Sequence, residues 1–165
     1  MGRCGVMCHF HFQARAGRRR DQVSAFIGAH SCKVDDKGRI NIPASFRRFL
    51  GDEERETFVV TRGFENCLIL YAPAGWKNFQ AKLNGLPPGK RKRQVIRFFS
   101  SNSATLHLDK QGRVGIPRDF LADYGIEREV LLVGALESIE VWNPEAYASQ
   151  MEGAGEAIGE IEHLL

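Results

Sequence analysis

The hydrophobic residues of this chain fall into short runs that predict strands more often than helices. Around residues 34–42 apolar and polar positions alternate, which is typical of strands with one buried side. Two pairs of apolar runs follow, FVVT with CLILY and EVLLV with SIEVW, and each pair predicts a hairpin. Helical spacing is confined to short segments such as Phe46, Phe49 and Leu50. The pattern predicts a mainly β fold with short helices, in the α+β class.

The chain contains one pattern twice, and this repeat sets the expected architecture. Residues 35–46 read DDKGRINIPASF and residues 109–120 read DKQGRVGIPRDF, an offset of 74 positions without a gap. The likeness continues downstream, where 58–73 echoes 130–144 with a slip of one residue. Each copy predicts a β–β–α–β–β module of about 45 residues, which buries little surface alone. We therefore expect the two copies to interlock around a shared core, as a pseudo-dimer within one chain.

A tight turn is predicted within each repeat. Asp35 suits the first position of a type I turn, where its carboxylate accepts backbone N–H bonds, and Gly38 suits the later position with positive φ. Asp109 and Gly112 repeat this arrangement. We expect the strands on either side of the turn to be the two arms of one hairpin.

Basic residues gather around the first of these turns. Lys33, Lys37 and Arg39 surround Gly38, and side chains beside a hairpin tip project away from the body of a protein. A two-stranded ribbon fits the DNA major groove, where Lys and Arg reach phosphates or guanine edges. The alternative is an ordinary solvated turn, and the local pattern leaves both interpretations open.

The sequence divides into five segments, two of which are the modules. The connector between them has Trp76, Phe79 and Leu83 at helical spacing, followed by the basic run Lys90–Arg93, which is typical of a solvated helix face or of a phosphate contact. The last segment is compatible with a helix or with a frayed tail. The segments are a basic extension at 1–25 that we expect to be disordered, module 1 at 26–76, a helical connector at 77–103, module 2 at 104–148 and an acidic tail at 149–165.

Charge is concentrated at the two ends of the chain. The formal net charge is +3, with a surplus of four positive charges in residues 1–25 and of four negative charges in 149–165. So small a total decides nothing, and only local basic patches count as evidence for nucleic acid. No stretch reaches the roughly 20 apolar residues that a membrane helix requires, so we expect no membrane partner.

The first 25 residues differ in character from the rest. Their basic cluster follows the scattered hydrophobic residues, which is the wrong order for a secretory signal. Cys4, Cys8, His9 and His11 offer zinc-binding side chains, but a structural site needs a second recognisable ligand pair in a folded knuckle. We expect no metal site here, and we expect the natural chain to start near Val23.

The sequence contains no motif that nominates a catalyst. There is no P-loop, no GxSxG, no HExxH and no GxGxxG before a helix. Cys32 and Cys67 lie in apolar runs, where a free thiol behaves as a small hydrophobic residue, as expected in a reducing cytoplasm. His30 and His107 lie in strand-like segments that suggest neither metal binding nor base catalysis. We expect a protein that is not an enzyme and needs no cofactor, metal or small-molecule ligand.

Taken together, these residues resemble the MraZ family of bacterial regulators. The resemblance rests on FIGAHSCKVDDKGRINIP, on the connector end RFFSSNSA, and on HLDKQGRVGIP with VLLVG and IEVWNP in the second copy. It runs from Phe26 to Tyr147, and the doubled DxxGR…P motif is its specific part. The family consists of two SpoVT-AbrB (AbrB-like) swapped-hairpin modules, so the resemblance implies this tandem fold with a β-barrel-like core. A family chain would begin near Phe26, in agreement with a late natural start.

The resemblance implies a function that the residue pattern alone does not. MraZ proteins bind short direct repeats in the promoter of the division and cell-wall gene cluster, including their own promoter. They assemble into closed rings and lie in the cytoplasm on the nucleoid. The expected partners are therefore double-stranded promoter DNA and other copies of this chain.

The resemblance also implies which residues contact DNA. The family's contact lies in the first-copy motif, and the residues here that match or adjoin it are Arg39, Lys37, Lys33 and Gly38. We expect Arg39 to be the main contact. In the second copy Gln111 stands where the first has a lysine, so we expect that turn to be less basic. Arg113 is then either structural or a weaker phosphate contact.

A different interpretation is an oligomeric protein-interaction module of antitoxin-like type. The same hairpins would then serve as a platform for oligomerisation, and Phe98, Phe99 or the acidic C-terminal segment would contact the partner. Recovery of a partner from cells in stoichiometric amount, without retention of promoter DNA, would favour this interpretation.

Overall fold

The structure, a computed structural model, describes residues 25–50 and 57–164. The expectations for the basic extension, including its disorder, its cysteine and histidine residues and a start near Val23, lie outside the described residues. Within the described part there are eight strands: β1 (Ala29–Lys33), β2 (Arg39–Asn41), β3 (Thr57–Arg62), β4 (Leu68–Tyr71), β5 (Ser103–His107), β6 (Arg113–Gly115), β7 (Glu129–Gly134) and β8 (Ile139–Trp142). The helices there are α1 (Ala44–Arg47), α2 (Pro73–Asn84), α3 (Lys90–Ser101), α4 (Arg118–Asp123), α5 (Pro144–Gln150) and α6 (Ala154–Ile161), followed by a 3₁₀ turn at Glu162–Leu164.

The order of elements confirms the tandem repeat. The first copy runs β1–β2–α1–β3–β4 and the second runs β5–β6–α4–β7–β8, with α2 and α3 between them. Pro43 and Pro117 precede α1 and α4 in extended conformation, so each proline ends a strand arm and leads into the short helix. The mainly β, α+β fold with short helices is therefore confirmed.

The larger sheet has six antiparallel strands in the order β1–β7–β8–β4–β3–β5. The two copies meet at its centre, where β4 pairs with β8 through Leu68↔Val141 and Leu70↔Ile139. Each copy also places its first strand on the edge of the other copy's hairpin, because β1 pairs with β7 and β5 pairs with β3. The expected interlocking of the copies is thus built into the sheet.

One expectation about the hairpins is wrong. The strands on either side of each turn are not paired arms of one hairpin, because β2 pairs with β6 of the other copy through Ile40↔Val114. The turn itself survives, but its two arms separate beyond it and each joins the opposite module. The physical reason is burial: in the shared arrangement Ile40 and Val114 both become fully buried in a core that neither module could form alone.

The core is a single cluster that draws equally on both copies. Its fully buried side chains lie on both layers, the six-stranded sheet and the β2–β6 ribbon with the short helices. Those with essentially no exposure include Ile40, Ile42, Phe46, Phe58, Val60, Leu68, Leu70, Val114, Val130, Leu132, Ile139 and Val141. Because neighbours in this cluster come from different modules, we regard the two copies as one folding unit.

The connector packs on the sheet through aromatic residues, as its helical spacing predicts. Phe79 of α2 stacks on Tyr71 at 5.3 Å between ring centroids and meets Phe99 of α3 edge-on at 4.9 Å. Helix α2 starts at Pro73, so it crosses the boundary drawn at residue 76. No helix in the described residues is both long and apolar enough to cross a membrane.

Gly134 offers a direct test of the contact between β7 and Phe26, in the segment that precedes β1. A Cβ at this position would lie 2.4 Å from the carbonyl carbon and oxygen of Phe26. Because these are backbone atoms, they cannot turn aside as a side chain would, and we expect Gly134→Ala to lower the free energy of unfolding by about 1–3 kcal/mol. Urea denaturation measures this. Gly155→Ala is the control, since a Cβ there meets nothing within 4 Å; equal losses in both variants would contradict the assignment.

Candidate nucleic-acid interface

The first turn is closed by a single carboxylate. Oδ1 of Asp35 accepts the backbone N–H groups of Lys37 and Arg39, both at 2.9 Å. The N–H of Gly38 donates to the carbonyl oxygen of Asp35 at 2.8 Å, and Gly38 has a φ of +77°. This is the tight turn with a left-handed glycine that the sequence predicts, and it fixes the direction in which the neighbouring side chains project.

Arg39, the residue we expect to be the main DNA contact, also holds this turn together. Its Nε donates to Oδ2 of Asp35 at 2.7 Å, and its side chain is 33% exposed. Lys37 at the tip is exposed, and Lys33 is exposed at the end of β1, where Glu129 of β7 lies opposite in register. The basic residues predicted at the first turn therefore divide into a half-buried arginine and two exposed lysines.

The second turn repeats this geometry. Oδ1 of Asp109 accepts the backbone N–H groups of Gln111 and Arg113 at 2.9 Å, and Oδ2 accepts Nε of Arg113 at 2.9 Å and Nη2 at 2.8 Å. Gly112 has a φ of +79°. The expectation that this turn is less basic is wrong, because Lys110 stands where the first copy has Asp36. Residues 109–113 carry a net charge of +1, while residues 35–39 are neutral.

The exchange of strands joins the two turns into one surface. In the β2–β6 pair Arg39 lies opposite Gly115 and Asn41 lies opposite Arg113, and these residues share the side of the ribbon that faces away from the core. Nη1 of Arg113 lies 3.8 Å from Oδ2 of Asp35, so the ion pairs of the two turns adjoin. We call this outward side, with the turns 35–39 and 109–113, the ribbon face.

Two arginines that the sequence did not single out for this role brace the turns from the opposite module. Arg118 of α4 donates a hydrogen bond to the carbonyl oxygen of Asp36 in the first turn. Arg47 of α1 donates from Nε to the carbonyl oxygen of Ile42 at 3.0 Å, and its guanidinium carbon would lie 2.8 Å from a Cβ on Gly112. In the repeat, Arg118 corresponds to Ala44 and Arg47 corresponds to Leu121, so neither arginine is repeated. Their contacts with the turns can be predicted only when the exchange of strands is known.

The turn carboxylates give the fold a dependence on pH. Hydrogen bonds from the arginine backbone N–H groups hold the pKa values of Asp35 and Asp109 below 3.8, with smaller contributions from the arginine side chains. A depressed pKa stabilises the fold above the unfolded value and loses that effect as the pH falls through the folded value. We expect the double variant Asp35→Asn, Asp109→Asn to melt at a lower temperature than wild type near neutral pH, and the difference to shrink below pH 3.8. Melting curves across this range test the claim, and a difference independent of pH would contradict it.

Cys32 and Cys67, the cysteines in the described residues, contribute to packing rather than to a site. Cys67 is buried, and burial raises the pKa of its thiol to about 12, with Glu140 and Glu65 adding to the effect. Cys32 is only half-buried, and both are free thiols. Among residues 25–50 and 57–164, no cluster of three or more His, Cys, Asp or Glu side chains is arranged to hold a metal ion.

Comparison with known proteins supports the family suggested by the turn motifs. A family model described as "MraZ protein, putative antitoxin-like" matches residues 25–97 and 99–159, one stretch for each copy. A protein of Acetivibrio thermocellus named "Transcriptional regulator MraZ" is 38% identical over 144 residues, 85% of this chain and 98% of the relative. A protein of the same name from Halothermothrix orenii is 37% identical over 137 residues, 82% of this chain and 93% of the relative. This chain therefore belongs to the MraZ family of transcriptional regulators.

Proposed function

We propose that this protein regulates transcription by binding double-stranded promoter DNA through the ribbon face. The observation that carries the proposal is the joining of two Asp–Arg turns, one from each copy, on the outward side of one two-stranded ribbon. A ribbon of two strands fits the major groove, where basic side chains reach phosphates and guanine edges. Lys37 and Lys110 are exposed at the two tips, and Arg39 and Arg113 lie between them.

Within this proposal the two kinds of basic residue have different roles. Arg39 and Arg113 fix the turns through their aspartates and keep part of their guanidinium surface exposed toward solvent. The lysines have side chains that extend beyond the ribbon and act as phosphate contacts. Gly38 contributes by allowing the turn, since its positive φ favours glycine.

The target we propose is a set of short direct repeats in the promoter of the division and cell-wall gene cluster, including the protein's own promoter. The two halves of the ribbon face are related by approximate two-fold symmetry but differ in side chains. At equivalent positions of the repeat, the first copy has Lys37 and Asn41 and the second has Gln111 and Gly115. A symmetric reader favours palindromic sites, because its operator mirrors its own symmetry. A ribbon face with unequal halves is suited instead to repeats that all run in one direction.

Assembly into a closed ring is part of the same proposal. One subunit offers only a few phosphate contacts, which is little for specific binding at cellular salt. Several ribbon faces on one ring would meet successive repeats, and each contact after the first would be intramolecular, so that affinity rises by avidity. The proposal places the ring in the cytoplasm on the nucleoid and requires no cofactor or small-molecule ligand.

The test is fluorescence anisotropy with the DNA upstream of the protein's own gene and a scrambled duplex at the same salt concentration. We expect selective binding, with a salt dependence steeper than the charges of one subunit allow. Equal binding to both duplexes would reject sequence-specific recognition, and a shallow slope would reject the multi-subunit mechanism. Stoichiometric recovery of a protein partner without selective DNA binding would favour the antitoxin-like interaction module instead.

A further inference from the structure

The C-terminal helix carries hydrophobic side chains that nothing in the described chain covers. None of the residues of α6 is buried. Ile158 is 58% exposed and Leu164, in the 3₁₀ turn that follows, is 73% exposed. Ile161 is exposed as well. We call these three residues the C-terminal surface.

The arrangement of these residues indicates a missing packing partner. Ala154, Ile158 and Ile161 follow one another at helical spacing and share one side of α6, while Glu156 and Glu160 lie on the other side. A helix of eight residues is marginal in water by itself and depends on tertiary packing of its apolar side. The apolar side of α6 is therefore expected to be covered in the working form of the protein.

A second uncovered surface lies where helix α3 of the connector meets the β3–β4 turn. Phe64, at the β3–β4 turn, is 81% exposed, and Phe98 of α3 is 46% exposed. Both rings pack edge-on against the buried Phe99, at 5.4 Å and 5.2 Å between centroids. The two phenylalanines are therefore held in place by the core and still face solvent. We call Phe64 and Phe98 the connector surface.

The two surfaces have opposite electrostatic surroundings. Helix α3 carries five basic residues and no acidic one: Lys90, Arg91, Lys92, Arg93 and Arg97. Helix α3 together with Glu65, which lies beside Phe64, has a net charge of +4. Residues 152–162 carry four glutamates and no basic residue. Glu156 and Glu160 lie on the side of α6 away from the apolar residues, so the complementarity is one of net local charge. Each region repels its own copy on another subunit and attracts the other region, which favours contact between unlike faces.

We infer that the C-terminal surface of one subunit packs on the connector surface of a second copy of this chain. Large exposed apolar groups commonly mark interaction sites, and here two of them are complementary in charge. A contact between two different faces is head-to-tail, so each subunit keeps one free face until a ring closes. The inference rests on the assembly part of the proposed function and supplies the contact that the ring needs.

Two variants, each of which disables one surface, provide the test. Phe64→Asp places a charge on the connector surface at an exposed turn, and Ile158→Asp places one on the C-terminal surface; both side chains are more than half exposed, and the melting temperature of each variant checks its fold. Native mass spectrometry and light scattering give the mass of each assembly. We expect wild type to be oligomeric and each variant alone to be monomeric. An equimolar mixture of the two variants should give a one-to-one dimer and nothing larger, because only one intact surface remains on each chain.

Several outcomes would overturn the inference. It fails if wild type is monomeric, if either variant keeps the wild-type mass, or if the mixture contains only monomers. Ile27→Asp is the matched control, since Ile27 is an apolar residue outside both surfaces and its exposure, 65%, lies between those of Ile158 and Phe64. This variant should keep the wild-type mass, and loss of assembly there but not in Phe64→Asp would also overturn the inference.

DNA binding by the same variants separates this inference from the proposed function. If both hold, the monomeric variants should still bind a duplex with one repeat, with a shallower salt slope on several repeats than wild type. A correct mixing result together with no selective DNA binding by wild type would leave the interface standing and reject the proposed function. Selective DNA binding by wild type, together with a mixture of the two variants that contains only monomers, would reject the interface and leave the proposed DNA binding standing.

Discussion

Lys37→Glu should reduce the affinity for promoter DNA by about 100-fold or more. Lys37 is exposed at the first tip, and in the turn it contributes its backbone N–H to Asp35. The substitution therefore reverses a charge on the ribbon face without removing a hydrogen bond that closes the turn. The loss is large because every subunit of the ring carries the change, so several phosphate contacts are lost together. Fluorescence anisotropy against the promoter duplex measures it, with the melting temperature as the check on folding.

A matched pair of milder variants shows which turn carries the contact. Lys37→Gln and Lys110→Gln each remove one positive charge, the first by installing the residue that the second copy has at this position. We expect Lys37→Gln to weaken binding more, in keeping with a contact centred on the first copy. A larger loss in Lys110→Gln would move the main DNA contact to the second turn.

Arg39→Ala is a less direct test of DNA contact, although Arg39 is the residue that we expect to be the main contact. Its Nε holds Oδ2 of Asp35 at 2.7 Å, so the substitution removes a cation and loosens the turn at once. Its effects on binding and on stability would therefore arise together. Lys37 separates them, because charge and turn geometry depend there on different atoms.

Much of the fold can be predicted from the sequence because its signals are local. The offset of 74 residues between the copies gives the element order, and the Asp–Gly spacing gives both turns with their hydrogen bonds. The partner of each strand cannot be predicted in this way. Ile40 and Val114 have the same alternating pattern whether β2 pairs with its own module or with the other. Pairing is decided by burial in the shared core, which depends on the whole chain.

The candidate site shows the same division between local and non-local information. Lys33, Lys37 and Arg39 stand out because they surround one turn in the sequence. Arg118 and Arg47 do not, because each contacts a turn that belongs to the other copy. The assignment of the first group to DNA contact remains a prediction that the binding experiments decide.

Phe46→Ala should lower the free energy of unfolding by about 3–5 kcal/mol, the largest effect on stability that we expect from one substitution. Phe46 has no exposed surface, and its ring meets Phe26 edge-on at 5.8 Å and His30 at 5.0 Å. It therefore ties α1 to the start of the first copy, in a core shared by both modules. A domain has only about 5–15 kcal/mol of stability, so this loss would leave the protein close to unfolding.

Phe49→Ala is the control for this prediction, because Phe49 lies three residues later and is 36% exposed. It also meets Phe26, at 6.0 Å, so both variants lose an aromatic contact with Phe26, while Phe46→Ala also loses the contact with His30 and leaves a buried cavity. Urea denaturation with both variants at the same protein concentration, so that the effect of concentration on assembly is the same, should show a much smaller loss for Phe49→Ala. The burial of Phe46 indicates that the shared core depends on α1. Equal losses would contradict this and would mean that α1 is held by surface contacts.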